Sequence, residues 1–421
     1  MRPRIITLCA VAVVLGATLT SPAHATTRTR FDVINLVSDV QGKAPVTDPK
    51  VVNPWGLAMG KTLWVSNTGT GSATVYSGTG KKEKTEVAIP GGAPTGQVFN
   101  PGEGFTVKGK PATFIFSSPS GAISGWNAEA DPANAIIAAF TRGADYKGLE
   151  LVQTEDEAFL LAADFASGRI HAFDEDFRRI PLGRSQFRDR ALPRGYNAYN
   201  VAVANGNIWV AYALRDPSTG KPVFGNGKGF VSRFNASGRL TGRISRVGLN
   251  APWGITAAPK GWNRSEYRNA LLVGNFGDGT VHAYRSGRHL GSLRTSEGKP
   301  IVLPGLWDLE PGTAATGGES SLWFSAGIDG TKHGLIGVIA PQGTKVSSNG
   351  AASTPSSSPT HPGPPVERPE YPAALPESLR RVLTGALPPP PPGLARSAAR
   401  PARRGGGGPS SGTASRVRSH E

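Results

Sequence analysis

Cysteine is almost absent from the sequence, since Cys9 is the single example among 421 residues. Cys9 lies within residues 1–25, which have the character of a secretory signal peptide. They combine two arginines, an apolar run at residues 5–19 that is short for a membrane span, and a small-x-small cleavage site at residues 23–25. An N-terminal membrane anchor is the alternative. After cleavage no thiol remains, which excludes thiol catalysis, thiolate metal sites and disulfide bonds.

Several catalytic and binding signatures are missing as well. No Gly-x-Ser-x-Gly elbow accompanies the histidines, no glycine-rich phosphate loop is present, and no loop has the alternating acids of a calcium site. A serine hydrolase therefore finds no support. No base-reading motif is visible, so specific nucleic-acid recognition is not predicted. No hydrophobic span follows the signal segment, so no membrane span is expected after its cleavage.

Acidic residues are scarce relative to basic ones, 30 against 46, which gives a formal net charge of +16. Part of this excess lies in residues 341–421, where proline, serine, glycine and arginine dominate. Such a segment cannot bury enough apolar surface to offset its chain entropy, so we predict a disordered basic tail. Outside the cell, anionic cell-wall polymers are the partner that its charge suggests, and simple solubility is the alternative.

The strongest positive feature is an internal repeat of a strand, a polar glycine-containing turn and a second strand. The six copies begin at Leu63, Thr113, Phe159, Asn207, Leu271 and Leu322. In five copies the second strand closes on an aromatic residue: Tyr76, Trp126, Phe173, Phe234 and Tyr284. The copies start about 45 to 65 residues apart, which is the period of propeller blades.

A turn and a short, nearly all-apolar strand precede each hairpin, as in NPWGLAM from Asn53 and APWGITA from Ala251. Such a strand suits the innermost position of a blade, beside a central channel. Six four-stranded units predict an all-β fold, a six-bladed β-propeller over residues 26–340. The leftover strand at residues 30–40 is expected to pair with the last copy and close the ring. A β-sandwich would not repeat a motif six times, and a β-helix needs a shorter period.

Two stretches carry a resemblance to known families. The run NPWGLA…LWVSNTGTGSATVYSG…GAPTGQVFNPG…FIFSSPSGAISGW, with the later APWGI, resembles an uncharacterised family of secreted bacterial propeller proteins. This resemblance covers roughly residues 32–340 and implies the fold without an activity. Some members carry a C-terminal sorting signal, where this chain has its basic tail. More distantly, LLVGNFGDGTVHAY is similar to the NHL-type repeat, and propellers of that style include metal-dependent sugar-lactone hydrolases.

The candidate ligand site is the face of the ring where the inner strands begin. Loops on a rigid scaffold are where binding residues concentrate, and aromatic rings with amides offer stacking area and hydrogen bonds to a sugar or another flat ligand. The alternative is that Trp55 and Trp253 recur because each blade needs the same packing wedge. The predicted ligand-binding residues are Asn53, Trp55, Gln97, Tyr146, Tyr199, Trp253 and Trp307.

A metal site is the second candidate. A catalytic metal ion needs several ligands that converge on the channel, and Glu150, Asn200 and Asp308 lie on or next to inner strands of three blades. The sugar-lactone hydrolases that the chain distantly resembles use acid and amide ligands in that general way. The candidate cofactor is one divalent cation, Ca²⁺ or Zn²⁺. Asn53 stands where such a hydrolase has a glutamate in its first blade, which sets this chain apart.

The sequence therefore predicts a secreted propeller, extracellular or cell-wall associated, that acts as a non-enzymatic binding or scaffolding module. Its expected ligand is a carbohydrate-like small molecule or polysaccharide at the channel mouth. A metal-dependent hydrolase of lactones or esters is the alternative. The lack of a convergent acid, base and nucleophile favours the binding module.

Overall fold

The computed structural model describes residues 28–153 and 158–346. The predicted signal peptide at residues 1–25 lies outside the described residues, as does the predicted tail at residues 341–421 except for residues 341–346. Within the described part, no helix has the length and apolar character needed to cross a membrane. Its only helical pieces are a 3₁₀ turn, Lys260–Trp262, and a short irregular turn, α1, at Ile328–Thr331.

The described strands form six sheets of four or five strands around a ring and one separate two-stranded sheet, so the six-bladed propeller is confirmed. In chain order they are β1 (Phe31–Ser38), β2 (Val46–Thr47), β3 (Pro54–Met59), β4 (Leu63–Asn67), β5 (Ser72–Tyr76), β6 (Lys82–Ala88), β7 (Gln97–Phe99), β8 (Thr106–Val107), β9 (Lys110–Pro111), β10 (Phe114–Ser117), β11 (Ala122–Trp126), β12 (Ile136–Phe140), β13 (Tyr146–Gln153), β14 (Ala158–Asp164), β15 (Arg169–Phe173), β16 (Arg179–Ile180), β17 (Tyr196–Ala204), β18 (Asn207–Arg215), β19 (Pro222–Val223), β20 (Phe230–Phe234), β21 (Leu240–Arg243), β22 (Pro252–Ala257), β23 (Leu271–Asn275), β24 (Val281–Arg285), β25 (Arg288–Ser292), β26 (Leu306–Pro311), β27 (Leu322–Ala326) and β28 (Leu335–Pro341).

The blades follow the chain from their inner to their outer strands. Blade 1 is β3–β6, blade 2 is β7 with β10–β12, and blade 3 is β13–β16. Blade 4 is β17, β18, β20 and β21, with β19 beside β18, and blade 5 is β22–β25. Blade 6 takes β26–β28 from the end of the ring and β1 from its beginning. The antiparallel pairing of β1 with β28 closes the ring, as the leftover strand predicts.

Hydrophobic packing lies between the blades, because successive side chains of a strand point to opposite faces and each blade has a neighbour on both sides. Six buried clusters occupy the six junctions between adjacent blades. Tyr76, at the end of β5, illustrates the recurring aromatic residue: it is fully buried between blades 6 and 1. The repeated aromatic positions of the sequence are thus packing residues between blades.

The inner strands share an irregularity near their first residues. In five blades the register between the inner and second strands shifts there, for example between Pro54 and Leu57 in blade 1 and between Tyr146 and Gly148 in blade 3. A β-bulge of this kind turns one extra side chain away from the regular alternation. These bulges determine which side chains face the axis of the ring.

Candidate functional site

An aromatic plug closes the channel where the inner strands begin. We define the plug as Trp55, Trp253, Trp307, Tyr199 and Phe276. Trp307 stacks on Trp55 with ring centroids 3.4 Å apart and on Phe276 at 3.8 Å. Trp253 meets Trp55 and Trp307 edge-on at 5.9 and 6.0 Å. Tyr199 contacts Trp307 at 6.3 Å. The aromatic side chains of the plug therefore pack against one another at the centre of the propeller.

Four of the five predicted ligand-binding aromatics belong to this plug and are buried. Trp55 is 6% exposed, Trp253 and Trp307 are 2% exposed, and Tyr199 is 1% exposed. In this arrangement the plug offers a sugar no open ring face on which to stack. The Nε1 group of Trp55 is buried without a hydrogen-bond partner in the described structure, so the plug keeps one unused donor.

Tyr146 does not join the plug, although the sequence places it with the channel mouth. It lies in the core between blades 2 and 3, where its hydroxyl donates to Thr141 Oγ1 at 2.8 Å and lies 2.9 Å from Nδ1 of His171. The bulge after Tyr146 gives the axial position to Lys147 instead. The Lys147 ammonium lies 5.5 Å from the Trp55 ring centroid, a cation–π contact, and pairs with Asp145 at 2.8 Å.

The two predicted amides at the mouth hold neighbouring blades together. Asn53 has a positive φ of 47° and accepts a hydrogen bond from Trp307 Nε1 at 2.9 Å, which ties blade 1 to blade 6. Gln97 Nε2 donates to the carbonyl oxygens of Gly56 and Trp64 at 2.8 and 2.6 Å, which ties blade 2 to blade 1. The Gln97 carbonyl oxygen is buried and has no partner in the described structure.

The three predicted metal ligands also bond to the backbone of the next blade. Both carboxyl oxygens of Glu150 accept backbone N–H groups, from Val203 of blade 4 and from Leu151. Asp308 accepts in the same way from Leu57 of blade 1 and from Leu309, each at 2.8 Å.

Asn200 completes this set of links between blades. Its Nδ2 donates to the Trp253 carbonyl of blade 5 at 2.8 Å, and its Oδ1 accepts from the Val201 N–H. The three polar side chains named as metal ligands are therefore turned toward their neighbouring blades. Within the described residues, no group of three histidine, aspartate or glutamate side chains is arranged to hold a metal ion. A divalent-cation site at Glu150, Asn200 and Asp308 therefore stays a prediction.

Three carboxyl groups nevertheless share the axial channel: Glu150, Asp308 and Glu310. We call them the channel acids. Glu150 belongs to blade 3 and the other two to blade 6, on the opposite side of the ring. All three are half-buried residues, enclosed by protein and open only in part. Asp308 and Glu310 follow Trp307 of the plug by one and three residues, and Glu150 follows the axial Lys147 of blade 3 by three, so all three lie deeper in the channel.

The channel acids influence one another electrostatically. Burial raises the pKa of Glu150 to about 8, and the Asp308 charge adds to this effect. Burial raises the pKa of Asp308 to about 7, against the opposing effect of its two N–H donors. Burial together with the charges of Asp308 and Glu150 holds the pKa of Glu310 well above its usual range. Near neutral pH the channel therefore contains both protonated and ionised carboxyl groups.

Glu310 is the channel residue that the sequence analysis missed. Its carboxyl group makes no hydrogen bond or ion pair within the described structure, unlike those of Glu150 and Asp308. The Asp308-Leu309-Glu310 alternation in an otherwise apolar inner strand is the pattern that could have revealed it. Two charged residues two positions apart on such a strand point to the same side.

Comparison with known proteins gives relatives of unassigned function. The chain is 30% identical over 329 residues to the uncharacterised protein R648 of Acanthamoeba polyphaga mimivirus, covering 74% of this chain and 80% of that one. It is 29% identical over 324 residues to the uncharacterised mimivirus protein L690, covering 72% and 84%. No family model matches the chain. These relatives are viral, so they lend no support to the bacterial and secreted character of the family that the sequence resembles.

Solved structures share only the general architecture. Virginiamycin B lyase from Staphylococcus aureus matches with a TM-score of 0.43 at 12% identity, over 74% of this chain and 99% of the lyase. A gluconolactonase from Xanthomonas campestris matches with a TM-score of 0.34 at 16% identity, over 53% and 82%. Likeness at this level carries no information about activity.

Proposed function

Since the chain belongs to the family of the uncharacterised mimivirus protein R648, whose name assigns no activity, we propose a function from its own channel. The protein is a non-enzymatic binding module. It holds a small polyhydroxylated, carbohydrate-like ligand against the channel acids, on the side of the aromatic plug where the inner strands end.

The unpartnered carboxyl of Glu310 is the observation that carries this proposal. The Glu310 carboxyl is half-buried in the channel and, within the described structure, lacks a protein hydrogen-bond partner. A bound hydroxyl-rich molecule supplies a partner, because each hydroxyl both donates and accepts. The raised pKa values of the channel acids suit a neutral ligand, since protonated and ionised carboxyls together offer donors and acceptors.

A catalytic role receives less support from the same groups. Hydrolysis needs a positioned nucleophile and base, or a metal-bound water. The described channel residues are acids and an amide, and the oxygens of Glu150 and Asp308 already accept backbone N–H groups. For these reasons the hydrolase of lactones or esters ranks second, and the binding module first.

The location of this function follows from the ends of the sequence. We propose that the signal segment delivers the protein outside the cell and that the basic tail holds it to anionic wall polymers. Truncation after residue 346 should then release the protein from isolated cell walls at low salt. Equal retention of the full-length and truncated chains would contradict this part of the proposal.

The binding proposal is tested by screening a library of neutral mono- and oligosaccharides by thermal shift, followed by calorimetry on the hits. A hit should lose at least tenfold in affinity in Glu310→Gln, which removes one accepting oxygen from the channel. Glu103→Gln, at an exposed glutamate away from the axis, should bind normally. A library without hits, or equal binding by Glu310→Gln, would refute the channel site. One divalent ion per chain by elemental analysis would favour the hydrolase instead.

A further inference from the structure

A second candidate site lies on the outer part of blade 3, away from the channel. The turn between β14 and β15, the strand β16 and the connection that follows it enclose a groove of about 510 Å³. Four arginines line this arginine groove: Arg169, Arg179, Arg184 and Arg188. Its volume falls within the range of roughly 300–1,000 Å³ that small-ligand pockets occupy.

The four guanidinium groups of the groove have no acidic partner in the part of the chain that the structure describes, and all four residues are exposed. Arginines close by behave differently. Arg178 pairs with Asp176, and Arg243 pairs with the buried carboxyl of Asp189. A set of four uncompensated guanidiniums around one concave surface is a site where an anion gains charge-assisted, bidentate hydrogen bonds.

The remaining walls of the groove are mixed in character. Ile170, Ile180 and Phe187 are buried apolar residues that form part of its lining, so a ligand body can rest on an apolar surface. Gln186 adds a neutral amide beside the arginines. A ligand with a ring or chain of carbon atoms and one strongly anionic group matches this combination better than a bare ion does.

His171 contributes a neutral polar wall. Burial and the charge of Arg179 lower the pKa of His171 to about 4, so the imidazole is uncharged at neutral pH. Its Nδ1 faces the Tyr146 hydroxyl at 2.9 Å, and its Nε2 lies 3.6 Å from Asp164 Oδ2. Asp164 is the acidic residue next to the groove, which it reaches through His171. Its carboxylate also accepts hydrogen bonds from the Ser167 hydroxyl and from the Ala166 N–H. The positive character of the groove thus comes from the arginines alone.

We propose that the arginine groove is an anion site that binds a small organic ligand carrying a phosphate or sulfate group, such as a phosphorylated or sulfated sugar. Tetrahedral oxyanions present several acceptor oxygens, and the paired N–H donors of guanidinium groups bind such oxygens. This site is separate from the channel acids and does not depend on the function proposed for them. An adjoining groove that shares Gln186 and Arg188 extends the basic surface toward blade 4.

The experiment measures binding of glucose 6-phosphate, glucose 6-sulfate, inorganic phosphate and glucose to the full chain by calorimetry, at one fixed ionic strength. The phosphorylated and sulfated sugars should bind, glucose should not, and inorganic phosphate should bind more weakly than the sugar phosphate. Arg179→Gln and Arg184→Gln should each raise the Kd at least tenfold. Arg178→Gln, which removes an adjacent paired arginine, should leave the Kd unchanged.

Three results would overturn the proposal. Equal weakening by Arg178→Gln would mean that only net charge matters. Equal binding of glucose and glucose 6-phosphate would place recognition on the sugar alone. Binding of heparin or polyphosphate with no binding of the sugar phosphate would assign the surface to a polymer. Because the substituted arginines are exposed, thermal unfolding of each variant should match the parent and confirm that the fold is intact.

Discussion

Single polar side chains on the inner strands have two different roles. Glu150, Asn200 and Asp308 use their oxygens and amide to join neighbouring blades, whereas Glu310 has no such partner. The sequence identifies the first three because they interrupt apolar inner strands. It could not tell that they bond to backbone groups of the next blade, since that depends on how closely the blades approach.

The channel acids give a prediction for stability against pH. In the unfolded chain Glu150 and Asp308 ionise near 4.5 and 3.8, and in the folded chain near 8 and 7. Between these values the folded state holds more protons than the unfolded state, so the free energy of unfolding decreases as pH rises. We expect the free energy of unfolding in urea to decrease by several kcal/mol between pH 5 and pH 8.5, with little further change from Glu150 and Asp308 above that range.

The variant Glu310→Gln isolates this effect from that of other titrating groups. Removing one of the three mutually repelling carboxyls should raise the stability at pH 8 and flatten the decrease between pH 5 and 8. Glu103→Gln, at an exposed glutamate, should reproduce the parent curve. Parallel curves for Glu310→Gln and the parent would show that the channel acids do not repel one another in the folded protein.

At the scale of the strand, the bulge at the start of five of the six inner strands explains what the sequence repeats could and could not predict. The repeats correctly predict the inner strands and the recurrence of tryptophan in blades 1 and 5. For blade 3 they predict Tyr146 as the residue that faces the channel axis, whereas Lys147 lies there in the structure. The cause is the bulge, which adds a residue to the strand without changing the sequence pattern. The same shift decides that the tryptophans turn inward to form the plug.

Gly96, just before the inner strand of blade 2, allows that strand to come close to the inner strand of blade 3. A Cβ atom on Gly96 would lie closer than 3.0 Å to backbone atoms of Leu149 and Gly148 in the next blade. We expect Gly96→Ala to lower the free energy of unfolding by about 3 kcal/mol, because backbone atoms cannot move aside without shifting a whole blade. Chemical denaturation measures this loss.

Gly102→Ala is the matched control for this substitution. Gly102 is a glycine of the same blade, and its added Cβ would make only ordinary contacts, the nearest at 3.4 Å to Asn100 Oδ1. Its stability should change by less than about 1 kcal/mol. If both variants lose the same stability, close approach of the inner strands is not what the glycine of blade 2 provides.

At the scale of the whole molecule, one strand from the beginning of the ring completes its last blade. The sequence predicts this closure, because one strand is left over and one blade is short of a strand. It does not predict that Phe31 reaches blade 5, where its ring lies 4.6 Å from Trp262 and 5.5 Å from Tyr267. That contact depends on the 3₁₀ turn at Lys260–Trp262, which the repeat pattern does not predict.

The contribution of the closing strand can be measured with two variants of β1. Phe31→Ala should cost about 3 kcal/mol of unfolding free energy, because Phe31 is 1% exposed and its removal leaves a cavity at the junction of blades 5 and 6. Val33→Ala, on the same strand but 37% exposed, should cost less than about 1 kcal/mol. Equal losses would mean that β1 contributes through backbone pairing alone.

The closure by β1 and β28 also has a consequence for biosynthesis. On the ribosome β1 emerges first among the described strands, yet its partner β28 emerges last. At typical translation rates the interval is on the order of tens of seconds. During that time the edge of β1 that will pair with β28 stays open, and it can attract other chains. The ring therefore completes only after synthesis of the last blade, and the yield of native protein should depend on what shields that edge until then.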